Sequence, residues 1–166
     1  MKTPVEHALP TTADRSVGNV IISPSSAQLI SDVVVVPYPL WPDDRGYFLE
    51  VARMGKNSVR DFPPQSTQIS AAVSYPGTVK AFHIHRHQTD YWSPLAGMFQ
   101  VALVDLGVLR PWQILIPPGV GHGYKVISQE PGVLVYLTDH VYNPDDELRI
   151  AYNDPNINYD WDTQFK

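Results

Sequence analysis

The sequence predicts an all-β protein, a barrel or sandwich of short strands with few and short helices. Sixteen prolines and ten glycines are spread along its 166 residues, and both residue types interrupt helices and favour turns. Between these turn signals lie short runs rich in β-branched and aromatic residues, and such regular spacing favours a sandwich or a barrel. A hydrophobic content of 43% with 17% charged residues is typical of a globular chain.

The predicted strands follow one another along most of the chain: residues 33–38, 47–52, 66–74, 78–87, 98–106, 112–117, 123–128 and 132–141. Only two segments, residues 26–32 and 55–62, are candidates for short helices. Residues 1–25 are polar and rich in proline and serine, which predicts an N-terminal arm that could be exchanged with a partner subunit. Residues 26–166 are predicted to form a single barrel domain.

The composition excludes several classes of protein. The net charge is −5 and no basic run is present, which argues against nucleic-acid binding. The absence of cysteine excludes disulfides, thiolate metal sites and cysteine nucleophiles. The longest apolar runs, such as VVVV at 33–36, are too short to cross a bilayer, and no signal peptide is recognisable. We therefore expect a soluble cytoplasmic protein that binds neither nucleic acid nor membrane.

The segment VKAFHIHRHQTDYW at 79–92 is the strongest functional signal. Side chains alternate along a strand, so His83, His85 and His87 are predicted to share one face. In a barrel that face lines the interior, where unpaired polar groups cost free energy. A second motif, PPGVGHG at 117–123, contributes His122. From the residues alone, three readings remain open: a metal site, a proton-transfer site, or histidines that bond backbone carbonyls.

Both motifs resemble those of the cupins, which are small double-stranded β-helix (jelly-roll) barrels. The first cupin motif places a glycine, an HxH pair, an acid and a second glycine at fixed spacing, and the second places PxG before a histidine. The matching residues are Gly77, His83, His85, Asp90 and Gly97 in the first motif and Pro117, Gly119 and His122 in the second. The resemblance implies the cupin jelly-roll fold.

A closer resemblance covers roughly residues 40–161 and is to the dTDP-4-dehydrorhamnose 3,5-epimerase family. Five segments are similar to motifs of that family and occur in the same order: DDRGYFLE, QISAAVSYPGTVKAFH, IPPGVGHGY, VYLTDHVYNPDDE and NDPNINYDW. The resemblance implies an isomerase that removes and returns protons next to the ketone of a nucleotide-linked 4-keto-6-deoxyhexose. It implies no cofactor, and it implies a homodimer that exchanges N-terminal strands.

The resemblance also assigns roles to individual residues. His83 matches the catalytic base and Tyr136 the catalytic acid. Six further residues match substrate-binding positions: Arg45 at the diphosphate, Phe48, Glu50 and Gln68 near the nucleotide, and Lys80 and His122 as donors to the enolate oxygen. Histidine suits the base because its pKa lies near neutral pH, and an enolate oxygen needs hydrogen-bond donors.

Several departures from the family pattern leave alternatives open. Lys80 replaces an arginine, His85 a glutamine and Asp90 a lysine, no residue matches the aspartate that partners the catalytic histidine, and a hairpin is missing after Leu106. These changes favour a metal-dependent cupin enzyme that binds a divalent ion through His83, His85, Asp90 and His122. A metal-bound His83 could not serve as a base. The other alternative is a non-catalytic sugar-nucleotide binding protein.

Overall fold

A computed structural model describes residues 30, 32–102, 105–107 and 112–162 of the chain. The described residues form twelve strands and one 3-10 turn: β1 (Val34–Pro37), β2 (Leu40–Asp43), β3 (Gly46–Leu49), the 3-10 turn Asn57–Val59, β4 (Gln68–Ser74), β5 (Val79–His85), β6 (Asp90–Ala96), β7 (Met98–Val101), β8 (Asp105–Gly107), β9 (Trp112–Ile116), β10 (His122–Val126), β11 (Gly132–Thr138) and β12 (Glu147–Arg149). No helix in this part of the chain is long and apolar enough to span a bilayer.

The strands form two five-stranded antiparallel sheets and a separate hairpin. Sheet 1 has the order β1-β9-β6-β11-β4, and sheet 2 has the order β12-β5-β10-β7-β8. Strands β2 and β3 pair only with each other. Most neighbours in a sheet are distant in sequence, as in a jelly roll, where the chain crosses repeatedly between two sheets. The predicted all-β jelly-roll fold is therefore confirmed.

The main core lies between the two sheets. Ile114 and Leu134 of sheet 1 are 0% and 2% exposed, and Phe99 of sheet 2 is 1% exposed. The ring of Tyr124 meets those of Phe99 and Trp92 edge to face, with centroids 5.3 and 5.7 Å apart. The contact between Trp92 and Tyr124 joins the two sheets, and both rings also line the polar cavity between them.

Every predicted strand overlaps an observed one, but three observed strands were not predicted. Strand β6 was missed because Ser93 and Pro94 interrupt its apolar pattern, yet it lies in the centre of sheet 1 between β9 and β11. Proline is rare in central strands because it lacks an N–H donor. Pro94 lies where the β6–β11 register shifts, which accommodates it. Strands β2 (LWPD) and β12 (ELR) were missed because they are short and carry proline or charged residues in place of a β-branched run.

The remaining fold predictions have mixed outcomes. The helix candidate at 55–62 is reduced to the 3-10 turn. Most of the candidate at 26–32, the arm at 1–25 and the segment 108–111 that follows β8 lie outside the described residues. The prediction that three histidines share a face is wrong for His87, because β5 ends at His85 and His87 is exposed beyond it.

Candidate functional site

A cavity of about 290 Å³ lies between the two sheets. Residues of both sheets line it: Gln68, Asp90, Trp92 and Tyr136 from sheet 1, and Lys80, His83, His85, His122, Glu147 and Arg149 from sheet 2. Alternation along β5 directs His83 and His85 to the same side, and β10 carries His122 directly opposite His83. Among the described residues, this cavity is where the predicted catalytic and metal-binding side chains meet.

His83 is partnered by a carboxylate from the short strand β12. Its Nδ1 atom lies 3.2 Å from Oε1 of Glu147, whose side chain is only 8% exposed. The same carboxylate oxygen accepts a hydrogen bond from Nε of Arg149. Strand β12 pairs antiparallel with β5, with Arg149 opposite His83 and Glu147 opposite His85, so all four side chains project from one face. Because Nδ1 faces the carboxylate, Nε2 is the ring nitrogen of His83 that points away from Glu147.

A second group of polar side chains forms the buried end of the cavity. Asp90 accepts a hydrogen bond from the Gln88 amide at 2.7 Å and one from the Trp92 indole at 3.0 Å. Nε2 of His122 lies 3.5 Å from the same carboxylate, and Nε2 of His85 lies 3.8 Å from it. The other ring nitrogen of His122 is 2.9 Å from the carbonyl oxygen of Val120. This network joins β6 of sheet 1 to β5 and β10 of sheet 2.

The four-residue metal set suggested by the sequence is not formed. Of its members, His85, Asp90 and His122 bring ligand atoms within 4.8 Å of one another, whereas His83 pairs with Glu147. The Gln88 amide nitrogen lies between two of the three, 2.7 Å from Asp90 and 3.3 Å from His85, and donates to both. An N–H donor at this position does not fit a cation, which binds lone pairs. The group is a closed hydrogen-bond network, and the metal alternative is not favoured.

Burial sets the protonation of the cavity histidines. It lowers the pKa of His83 below its usual value, and the neighbouring charge of Glu147 only partly offsets this effect. Burial likewise lowers the pKa of His85 despite the attraction of Asp90. Burial alone would raise the pKa of Asp90, but the hydrogen bonds and charge of His122, with the Gln88 amide and the charge of His85, hold it below its usual value. Neutral forms of His83 and His85 and an ionised Asp90 are therefore favoured at neutral pH.

Tyr136 lies across the cavity from His83. It is on β11 of sheet 1, paired in register with Trp92 of β6, and its ring packs against the main core. Gln68, on the neighbouring edge strand, donates to Ser70 and accepts from the backbone N–H of Tyr142. Lys80 of sheet 2 has its Nζ 5.9 Å from the centroid of the Tyr124 ring. The two predicted proton-transfer residues thus line one cavity from opposite sheets.

Three predicted substrate-binding residues do not line this cavity. Arg45, in the turn between β2 and β3, has a side chain that is 83% exposed and paired with Asp43. Phe48 is 66% exposed and packs against Trp41, with ring centroids 5.6 Å apart. Glu50 pairs with Arg53 on the surface. The hairpin that carries them stands apart from the cavity of its own chain.

The sequence reading also missed residues of the site. Glu147 was recognised only as part of a motif, and Arg149 and Gln88 were not recognised. The opposite charges of Glu147 and Arg149 in the ELR segment could have marked a polar strand. Its pairing with β5 is a long-range contact that the local sequence does not reveal.

Comparisons with known proteins identify relatives of this chain. The family model of dTDP-4-dehydrorhamnose 3,5-epimerase matches residues 106–166. The spore coat polysaccharide biosynthesis protein SpsL of Bacillus subtilis (strain 168) is 40% identical over 141 residues, which are 75% of this chain and 91% of that protein. The dTDP-4-dehydrorhamnose 3,5-epimerase of Shigella flexneri is 36% identical over 158 residues, which are 81% of this chain and 84% of that protein.

Solved structures show the same fold. The epimerase RmlC of Legionella pneumophila, in complex with dTDP-4-keto-L-rhamnose, superposes with a TM-score of 0.68 at 22% identity, covering 81% of each chain. ChmJ, a 3'-monoepimerase of Streptomyces bikiniensis in complex with dTDP-quinovose, gives 0.69 at 21% identity, covering 81% of this chain and 77% of that one. These structures show the fold, and the sequence relatives identify the chain as a member of the dTDP-4-dehydrorhamnose 3,5-epimerase family of sugar-nucleotide isomerases.

Proposed function

We propose that this enzyme epimerises a dTDP-4-keto-6-deoxyhexose next to its ketone, with His83 as the base and Tyr136 as the acid. The observation that carries the proposal is that these two side chains line the same cavity from opposite sheets. Inverting a carbon requires that a proton leave one face of the sugar ring and return to the other. A base and an acid facing each other across a cavity suit this reaction.

The two proton transfers of the proposed reaction use His83 and Tyr136. His83 takes the proton from a carbon next to the C4 ketone, and the C–H electron pair moves into the enolate. Tyr136 then delivers its hydroxyl proton to that carbon from the opposite face, and the ketone re-forms. His83 passes its proton to solvent and the tyrosinate takes one up. Because burial lowers the pKa of His83, the base is unprotonated and ready at neutral pH.

Lys80 and His122 complete the proposal as groups near the enolate oxygen. Lys80 lines the cavity, and its ammonium group offers three N–H donors. His122 is only 3% exposed, and both of its nitrogens already face protein partners, Val120 and Asp90. Donation from His122 would therefore exchange one of these partners for the substrate. Lys80 is the simpler donor of the two.

We also propose that the enzyme is a homodimer in which the β2–β3 hairpin contributes to nucleotide binding. Arg45, Phe48 and Glu50 lie away from the cavity of their own chain, so contact with a nucleotide there requires a second subunit. Edge strand β4 supports such a partner, because Ile69, Val73 and other outward side chains form an exposed apolar face. Its most exposed members are Ile69 at 66%, Val73 at 67% and Tyr75 at 76%.

The dimer proposal is tested by light scattering of the full chain and of Val73→Glu. We expect a mass twice that of the 18.6 kDa chain for the unchanged protein and a shift towards monomer for the variant. The variant Asn156→Glu, at an exposed residue of the C-terminal segment that packs against sheet 2, is the control. A monomer at all concentrations would contradict the proposal.

The catalytic proposal is tested with dTDP-4-keto-6-deoxyglucose in D₂O, followed by proton NMR. We expect loss of the C3 and C5 proton signals with formation of the epimerised sugar, and no loss with His83→Ala. Exchange at C3 alone would identify a 3-epimerase. Binding of the nucleotide sugar without any exchange would overturn the catalytic proposal in favour of a sugar-nucleotide binding protein.

A further inference from the structure

We propose that Glu147 is the carboxylate that positions His83 for proton abstraction, and that Arg149 restrains this carboxylate from the mouth of the cavity. The inference rests on the proposed role of His83 as the base. It adds two positioning residues that the sequence motifs did not assign. It also answers the question raised by the missing aspartate, because another acid reaches the same histidine from another strand.

The pairing of β12 with β5 fixes the position of Glu147 relative to His83. Strand β12 runs antiparallel to β5 with Leu148 opposite Ile84, so Glu147 and Arg149 flank that pair on the side facing the cavity. Glu147 lies diagonally across from His83, within reach of a long side chain. The 3.2 Å separation between Nδ1 and Oε1 is within hydrogen-bond range.

Burial makes the contact necessary. The Glu147 side chain is 8% exposed, and a buried carboxylate is stable only when it is paired and hydrogen-bonded. Its two partners are His83 and Arg149, and both contact Oε1. The Arg149 side chain is 71% exposed, so it stands at the solvent end of the group while His83 stands at the cavity end.

The consequence for His83 is a single tautomer. A carboxylate at Nδ1 accepts the proton there and leaves Nε2 with its lone pair, which is the form a base requires. Replacing the carboxylate by a group that does not demand an N–H donor would let the proton occupy either nitrogen. A fraction of the enzyme would then hold the wrong tautomer, and the maximal rate would fall more than substrate affinity.

The charged groups around His83 predict a pattern of pKa changes that general disruption of the site would not produce. Glu147 and Arg149 face it from β12, His122 from β10, and His85 lies on its own strand. Glu147 raises the pKa of His83, whereas Arg149 lowers it. Removing Glu147 should therefore lower the pKa of His83, and removing Arg149 should raise it.

The test is NMR of the His83 ring in the protein without substrate, with its signals assigned by His83→Gln. In Glu147→Gln we expect a lower pKa of His83 and a mixture of tautomers, and in Arg149→Met a higher pKa with the Nδ1–H tautomer kept. Glu147→Asp should restore part of the Nδ1–H population. Arg60→Met, which removes an exposed arginine paired with Asp61 far from the cavity, is the matched control and should change neither property.

Two results would overturn the proposal. One is an unchanged tautomer and pKa of His83 in Glu147→Gln. The other is a shift in the same direction in Glu147→Gln and Arg149→Met, which would indicate general disruption of the site. Because these spectra need no turnover, they are independent of the epimerase proposal. In the D₂O exchange assay we expect kcat of Glu147→Gln to fall at least about tenfold with little change in KM.

Discussion

Nε2 of His122 lies 3.5 Å from Oδ2 of Asp90, and this contact joins the two sheets across the buried end of the cavity. Gln88 and Trp92 donate their own hydrogen bonds to the same carboxylate. The His122–Asp90 pair therefore forms part of the cavity wall. This arrangement separates it from His83, which pairs with Glu147.

If this network is closed by protein donors, activity should not depend on a metal ion. We expect dialysis against EDTA to leave the rate of deuterium exchange into the substrate unchanged, and added Zn²⁺ or Mn²⁺ not to increase it. The physical reason is that the Gln88 amide already donates between His85 and Asp90. Metal that survives purification in stoichiometric amount, with activity lost on its removal, would contradict this reading.

Tyr136→Phe should separate proton removal from inversion. Without the phenol, His83 still forms the enolate but must return the deuteron to the face from which it removed the proton. We expect epimer formation to fall by about 10²–10³-fold, while exchange of the sugar protons with D₂O continues. Proton NMR measures both rates in one sample. Epimerisation by Tyr136→Phe at the full rate would exclude the tyrosine as the acid.

Acid should destabilise the folded protein through its buried histidines. Burial lowers the folded-state pKa of His83 and His85, so the unfolded chain binds more protons than the folded one. The free energy of unfolding should therefore be fully maintained above the unfolded value of about 6.5 and decrease as the pH falls through it. Chemical denaturation at several pH values measures this dependence.

A single substitution isolates the contribution of His85 to this dependence. Asp90, Glu147 and Asp146 oppose the effect of burial on its pKa, and His122 adds to it. His85→Gln removes the titrating group and should weaken the pH dependence of stability between about pH 6.5 and the lower folded pKa. His140→Gln, at an exposed histidine outside the cavity, serves as the control. An unaltered pH dependence in His85→Gln would contradict the prediction.

Asp146 should be essential for the loop between β5 and β6. Its buried carboxylate accepts hydrogen bonds from the backbone N–H groups of Arg86, His87 and Gln88. Loss of these charge-assisted bonds leaves three donors to be solvated, so Asp146→Ala should lower the free energy of unfolding by about 3 kcal/mol. Thermal or chemical denaturation measures it. The adjacent exposed Asp145→Ala should change stability by about 0.5 kcal/mol or less, and equal effects of the two variants would contradict the prediction.

The two glycines that flank the first histidine motif should differ in tolerance to alanine. Gly77 and Gly97 have nearly equal φ angles of +77° and +78°, so both variants share the same backbone strain, about 1 kcal/mol. A Cβ at Gly77 meets nothing within 4 Å, whereas one at Gly97 would lie 2.8 Å from Cα of Gly132. Gly97→Ala should therefore cost about 2 kcal/mol more than Gly77→Ala in chemical denaturation. Equal losses would show that the strand approach at Gly132 is not tight.

Local sequence was sufficient for much of the fold and for part of the site. Turn residues and apolar runs predicted eight strand segments, because strand propensity and turn chemistry act over a few residues. Strand β6 could not be predicted in this way, since its strand conformation comes from pairing with β9 and β11 and not from its own residues. The alternation of histidines on β5 was read correctly up to His85, where the strand ends.

What the sequence by itself determined is the family, the jelly-roll class and the group of candidate side chains, because each is carried by residues close together in the chain. Only the tertiary structure decided which of them pair. His83 is 64 residues away from Glu147 in sequence, and the contact exists because β12 joins β5 at the edge of sheet 2. Gln88 reaches Asp90 and His85 because Asp146, from another loop, holds its backbone. Long-range strand pairing sets these distances, so it also determined that His83 pairs with Glu147 while His122 lies beside Asp90.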